Sequence, residues 1–380
     1  QNIRALSLGF SSYILSGSLD IESRIDIINQ IMETDQGILF LSPEMLQNDL
    51  VQDMMVKMPP VFAVFDEAHC ISTWGQDFRL EYSEVGKVLH DIETRSQMNI
   101  PKLALTATAS QETVNDIVNF AWMKNPNIIK SGMERKNISI NLSFQSEYQD
   151  MKDSLLEEIH VCQKTNKPTI IYCPKRADCE SVKNFLQQNQ IDCSIHHSGL
   201  DINERKANAL EFMTGQTQVM VATSGFGMGI DKSDVICVIH TEIPGTAEAW
   251  YQEIGRAGRD GNQSYSIGHV TPGITKKIRM DNMNRDNAYQ YAHYMAQTIF
   301  SSECRTQGLL KCFGEDILPC GSCDNCRGDT NHTKADNNTL HNHLINIYNH
   351  AYNGNEMDLD ILFSYGYIDY IINENPYGQM

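Results

Sequence analysis

Short apolar runs alternating with helical stretches constrain this chain more than any other feature. GILFLS, VFAVFDEA, KLALTATA, PTIIYC, CSIHHSG, VMVATS and VICVIHT follow one another between residues 36 and 270. Each run is strand-sized, and helical stretches separate them. That alternation specifies an α/β fold with parallel sheets and helices on both faces. A polar interval over 132–166, holding a GMERKN turn and a strand-like INLSF, marks the passage from one α/β domain to the next. From about residue 285 the pattern turns helical (NAYQYAHYMAQTIF), a cysteine cluster follows, and an Asn/His/Asp-rich stretch over 328–343 reads as a linker.

At 380 residues the chain can hold two or three domains, each with its own core. A formal charge of −18 argues against coating nucleic acid by bulk electrostatics, so any DNA contact has to come from a local groove. No apolar run approaches the roughly 18 residues that a membrane span requires. No basic, apolar leader opens the sequence, so an intracellular protein, cytoplasmic or nuclear, is expected. The opening segment QNIRALSLGF carries no helix cap or strand-starting turn and is read as an internal start.

The sharpest chemical signal is VFAVFDEAHCISTWGQDFR. Five apolar residues form a buried strand, and Asp66 and Glu67 emerge at its carboxyl end, where open α/β sheets place ligands. In a nucleotide-hydrolysing site two such carboxylates divide the work. Asp66 would hold Mg²⁺ through its water shell, Glu67 would orient and deprotonate the attacking water, and His69 would relay nucleotide state to neighbouring motifs. Two acidic residues alone would read as an acidic turn after a strand; the residues that follow them reverse that reading.

A second signal is QEIGRAGRDG, residues 252–261, whose two guanidiniums at spacing i and i+3 are expected on one turn of helix, pointing the same way. A third is VATSGFGMGIDKSDV, whose glycines permit close backbone approach to phosphate. The fourth is Cys304, followed after fifteen residues by Cys320, Cys323 and Cys326 in tight CxxC loops, a thiolate set suited to tetrahedral Zn²⁺. Disulfides are the alternative, disfavoured in a reducing compartment. Cys312 is not counted as a ligand.

DEAHC running into Trp74, Phe78 and Arg79 resembles the RecQ family of superfamily 2 DNA helicases. The resemblance implies that this stretch is an aromatic-rich loop, with Trp74, Phe78 and Arg79 contacting single-stranded DNA, since aromatics beside arginine stack on bases of any identity. SPE at 42–44 and LTATA at 105–109 are similar to the family's remaining first-domain signatures, and IIYC and HHSGL to early motifs of its second domain. The same resemblance places His197 and Thr223 at DNA and Asp231 at the nucleotide ribose. It makes Arg259 the finger that neutralises charge on the γ-phosphate, with Arg256 beside it and Gln252 bridging toward the water. It also implies that the acidic pair and the two arginines serve one nucleotide, and that the cysteines form the family's zinc-binding subdomain.

Two departures qualify the resemblance. No Gly-x-x-x-x-Gly-Lys-Ser/Thr loop occurs, and Gly86-Lys87 lies in a helical stretch followed by Val88. In the family that loop precedes a region looking like QNIRALSLGF, so the first motor domain is expected to be represented by its later part, with ATP binding in doubt. Residues 333–380 hold one lysine and no arginine against six acidic side chains, a surface that repels DNA.

The expected architecture is α/β: two RecA-like parallel-sheet domains, the first incomplete, then a helical zinc-binding subdomain and a short, degenerate winged-helix remnant. The expected boundaries are 1–135, 136–284, 285–328 and 329–380. The expected function is an ATP- and Mg²⁺-dependent 3′ to 5′ DNA helicase with structural Zn²⁺, acting as a monomer on single-stranded and branched DNA, away from membranes. The competing expectation is a non-catalytic DNA-binding or adaptor protein descended from such a helicase.

Overall fold

A computed structural model describes residues 2–17, 19–34, 36–71, 80–107, 109, 111–145, 148–227, 232–271, 273–283 and 288–328. The chain divides into two compact units, Gln1–Lys130 and Ser131–Met380. The division falls at Lys130 rather than after residue 135, and for a local reason. The Met133 amide donates to both oxygens of the Glu315 carboxylate at 3.0 Å, and the Met133 carbonyl accepts from the Tyr251 hydroxyl. The segments expected as separate domains, 136–284 and 285–328, lie within the second unit. The expected winged-helix remnant, 329–380, lies outside the described residues.

In the first unit, β1 (Ser12–Leu15) pairs in parallel with β2 (Ile38–Leu41), and β3 (Ala63–Phe65) pairs in parallel with β4 (Lys102–Ala104). The helix Ile21–Met32 between the first two strands starts at Asp20, whose carboxylate accepts the Ser23 amide at 2.7 Å. Leu15, Phe65, Ile71, Leu89, Ile92 and Ile100 meet in one core. Strand residues alternate between faces, so the neighbours of these core residues point the other way. Val64 is 53% exposed, Leu103 40% and Leu105 45%. Gly86 sits in the helix Val85–Ser96, where a Cβ would lie 2.0 Å from the Phe120 carbonyl oxygen; it is a packing glycine.

The described residues of the second unit form six parallel strands: β5 (Ile138–Phe144), β6 (Thr169–Tyr172), β7 (Ser194–His196), β8 (Val219–Ala222), β9 (Cys237–His240) and β10 (Ser264–Val270). Their order across the sheet is β5-β10-β9-β6-β8-β7. Here the period of two feeds two cores. Ile170, Tyr172, Met220, Ala222 and Val238 enter one, while Ile171, Val219, Val221, Cys237 and Ile239 enter the other. Strands buried on both faces read as unbroken apolar runs, which is why these were visible in sequence. The polar-looking SYSIGHV of β10 was not among the runs read as strands, yet Ser264, Ser266 and His269 are buried there.

The zinc-module cysteines are borne by this same unit. Arg305 is buried against Asp324 (Nε to Oδ1 3.0 Å), and the other oxygen of Asp324 accepts the Leu142 amide of the outermost strand, β5, at 3.0 Å. Arg327 extends the attachment, donating to Ser139 Oγ and Asn141 Oδ1 at 2.7 Å.

Candidate functional site

In the first unit the acidic pair stands where β3 ends. Glu67 takes a left-handed backbone conformation (φ 50°), and its amide donates to Asp66 Oδ1 at 3.1 Å. A side chain other than glycine is uncommon in that conformation, and such strain collects at functional turns. It ends the strand abruptly and leaves both acidic residues exposed to water. Exposed carboxylate oxygens suit a hydrated, oxygen-preferring cation such as Mg²⁺. Behind them, His69 Nδ1 lies 3.1 Å from Thr106 Oγ1 and 3.4 Å from Glu67 Oε2. The Ala68 amide donates to the Leu105 carbonyl at 2.8 Å, and the Tyr82 hydroxyl to the Asp66 carbonyl at 2.5 Å. DEAH and the threonine-bearing stretch after β4 therefore form one hydrogen-bonded corner.

In the second unit the arginines follow the helix Ala247–Ile254, which Thr246 caps through the Ala249 amide. They do not share a helical turn, which corrects the sequence expectation. Gly258 between them takes φ +56°, and its amide turns away to the Val235 carbonyl at 2.9 Å. Arg256 is half-buried, its Nη1 donating to the Gly227 carbonyl, whereas Arg259 is exposed. Gly227 has φ +136°, and a Cβ there would lie 2.6 Å from the Arg256 guanidinium carbon, so only glycine lets the arginine in. Gln252 lies half-buried in the last turn of that helix.

A polar layer that sequence reasoning missed lies beneath the loop. His240 Nε2 meets Glu253 Oε2 at 2.9 Å, and the imidazole stacks on Tyr172 with ring centroids 5.6 Å apart. The Tyr172 hydroxyl donates to the Phe226 carbonyl at 2.7 Å, next to the carbonyl that holds Arg256. Burial pushes the Tyr172 phenol up, the Glu253 charge adds to this, and Arg256 and Arg259 oppose it. The tyrosine thus stays a neutral donor. Its sequence signals were its place at the end of an apolar strand and its membership of the IIYC stretch.

The four module cysteines converge, with all Sγ atoms within 4.8 Å of one another. A tetrahedral Zn²⁺ with Zn–S bonds of about 2.3 Å sets sulfurs roughly 3.8 Å apart, so the cluster fits the ion. Cys304 Sγ accepts the Gln307 amide at 3.4 Å and the Cys320 amide at 3.2 Å; Cys323 Sγ accepts the Arg305 and Cys326 amides at 3.4 Å. Such bonds favour thiolate over thiol. Contact with Cys304 holds Cys320 well below the ordinary thiol range and pushes Cys323 up, and burial raises Cys326. Thiols this close cannot all ionise unless a cation sits among them, and a bound Zn²⁺ would hold all four as thiolates. All eleven cysteines are free of disulfides, and Cys312 is buried in the apolar core outside the cluster.

Residues 151–261 match the family described as helicase conserved C-terminal domain, and residues 271–327 match RecQ zinc-binding. The "ATP-dependent helicase SGS1" of Saccharomyces cerevisiae is 32% identical over 329 residues, covering 82% of this chain and 22% of that protein. The "ATP-dependent DNA helicase RecQ" of Haemophilus influenzae is 31% identical over 325 residues, covering 84% of this chain and 51% of that one. The chain belongs to the RecQ family of superfamily 2 helicases. It spans about half the length, or less, of these two RecQ relatives. Among solved structures, the DNA-bound helicase MrfA shares the fold at a TM-score of 0.56 and 17% identity, over 73% of this chain and 38% of that one.

Against this RecQ frame the expected site residues fall into three groups. Asp66, Glu67 and His69 are brought together in the first unit, and Gln252, Arg256, Arg259 and Thr223 belong to the second, with Thr223 half-buried just past β8. Trp74, Phe78, Arg79 and Asp231 lie outside the described residues. His197, expected at DNA, is 5% exposed, its Nε2 lies 3.1 Å from Glu180 Oε1, and its Nδ1 accepts the Gly199 amide at 3.2 Å. Both ring nitrogens are engaged within the unit, so the ring orders the HHSGL turn and offers no nitrogen to a phosphate. Among the described residues no helix is long and apolar enough to cross a membrane.

Proposed function

We propose that the chain carries the hydrolytic corner, the arginine loop and the zinc module of an ATP-dependent DNA helicase that moves 3′ to 5′ and acts as a monomer on single-stranded and branched DNA. The observation that carries this reading is the His69–Thr106 hydrogen bond, which ties the acidic pair to the threonine stretch of the neighbouring strand. A bare acidic turn has no need of that link; a motor does, because hydrolysis has to be sensed by another element. In this reading Mg²⁺ would neutralise phosphate charge. Asp66 binds the ion's water shell, Glu67 holds the attacking water, and Arg256 and Arg259 meet the phosphates with Gln252 alongside. Asp231 takes the ribose, Trp74, Phe78 and Arg79 stack on single-stranded bases, and Thr223 contacts the strand's backbone.

In a form of the protein that also carries a phosphate-binding loop, Glu67→Gln is expected to lower DNA-stimulated ATP hydrolysis by about 10²–10⁴-fold. Hydrolysis that survives the substitution defeats the proposal. A second reading, a non-catalytic DNA-binding adaptor, is favoured by the sequence itself, which has no Gly-x-x-x-x-Gly-Lys-Ser/Thr loop to cradle phosphates. Titration of this chain with ATP tests that second reading alone: weak binding is expected of it, and micromolar affinity would overturn it by showing that other residues cradle the phosphates.

A further inference from the structure

The stretch that opens the second unit, Met133 to Asn137, belongs to the GMERKN turn that sequence reading treats only as a passage between domains. Its side chains do something specific. Arg135 Nη2 donates to the carbonyls of Ala257 (3.2 Å) and Gly258 (2.9 Å). Asn137 Nδ2 donates to the carbonyls of Gly258 (2.8 Å) and Asn262 (2.9 Å). The Gly261 amide reaches the same Gly258 oxygen at 3.1 Å, so donors from three residues converge on one carbonyl. That carbonyl precedes Arg259 directly.

We infer that Arg135 and Asn137 are positioning residues that brace the loop carrying Arg256 and Arg259. The chemistry is selective. The loop turns the carbonyl oxygens of Ala257, Gly258 and Asn262 toward this stretch, and a carboxamide nitrogen with two hydrogens answers two of them, whereas a carboxylate would answer none. Gly258 completes the fit, since a Cβ there would lie 2.4 Å from Asn137 Nδ2 and 2.7 Å from Ser264 Oγ. From the other side, the Gly258 and Asp260 amides are held by the Val235 and Ser233 carbonyls at 2.9 and 3.0 Å. Arg259 is exposed, and the loop backbone sets where its side chain begins. A finger that acts by geometry loses rate when displaced by as little as about 1 Å. The brace therefore governs turnover rather than nucleotide affinity.

This rests on the assignment of Arg256 and Arg259 to the phosphates, and the test separates the two ideas. Asn137→Asp keeps the shape and removes both donors; Arg135→Lys keeps the charge and removes the fork. In this chain, amide hydrogen exchange at Gly258 and Asp260 is expected to accelerate about 10-fold or more in Asn137→Asp, with β6 and β8 amides unchanged. In a form of the protein that also carries a phosphate-binding loop, Asn137→Asp is expected to lower the turnover number about 10- to 100-fold while leaving the KM for ATP and the DNA affinity within about 2-fold. Arg135→Lys should retain more turnover than Arg135→Ala, and Asn137→Asp should add nothing to Arg259→Ala. Unchanged loop exchange, faster exchange without loss of turnover, or full additivity with Arg259→Ala each overturns the brace. If Arg259→Ala leaves hydrolysis intact, the phosphate assignment falls instead, and amide exchange still judges the brace.

Discussion

Val64 and Ile171 occupy equivalent places, each inside a short parallel strand, yet Ile171 is fully buried while Val64 is 53% exposed. The second unit sandwiches its sheet between two apolar cores, whereas among the described residues of the first unit one core packs against its two short strand pairs. Parallel sheets are ordinarily covered on both sides. The comparison teaches that a motif-bearing corner is specified locally while its stability is not. Asp66, Glu67, His69 and Thr106 are assembled on strands of three residues, held by a few hydrogen bonds and a single packed layer.

The largest effect that separates the units is metal removal. A structural Zn²⁺ site contributes on the order of 10 kcal/mol to folding. Chelation is therefore expected to collapse the second unit's thermal transition while leaving the first unit's in place, with metal analysis giving one zinc per chain beforehand. A chelator that lowers both transitions equally breaks the contrast. Next comes Asp324→Ala, which strands the buried Arg305 charge and should cost the second unit about 3–5 kcal/mol in denaturant unfolding.

Truncation at the two matched strand positions sharpens the contrast directly. Ile171→Ala should cost about 2–5 kcal/mol, and Val64→Ala, on the open face, within roughly 0.5 kcal/mol. Equal costs would mean that the open face is covered in solution. The smallest effect concerns pH. Burial first, and then Arg205, lowers the His196 pKa below its ordinary 6.5. A depressed histidine contributes stability above the unfolded value that is lost as pH falls through the folded one. The second unit should therefore weaken as pH drops below 6.5, more in the native protein than in His196→Gln, as read from urea midpoints.

Much of this was legible in the chain itself. Residues 169–172, 219–222 and 237–240 announce doubly buried strands because their consecutive interior positions are apolar on both faces, and the cysteine spacing announces a tetrahedral cage. What escaped depends on backbone conformation or on pairing across the fold. Arg256 and Arg259 at spacing i and i+3 suggest a shared helical face, but the positive φ of Gly258 separates them, and periodicity cannot report a dihedral. His197 is placed at DNA by resemblance alone, and its contact with Glu180, seventeen residues away, leaves no trace in the sequence. The His240–Glu253 and Arg305–Asp324 pairs are buried polar groups that satisfy each other from separate elements, so hydropathy reads them as surface.

The carboxylate of Asp324, bonded to the Leu142 amide on β5, has a consequence for solubility. An uncapped rim of a sheet is a template onto which another chain can add a strand. By closing that rim with a cysteine-anchored lid, the protein makes its resistance to self-association depend on zinc supply. Metal-starved molecules are then expected to aggregate through β5 before they unfold outright.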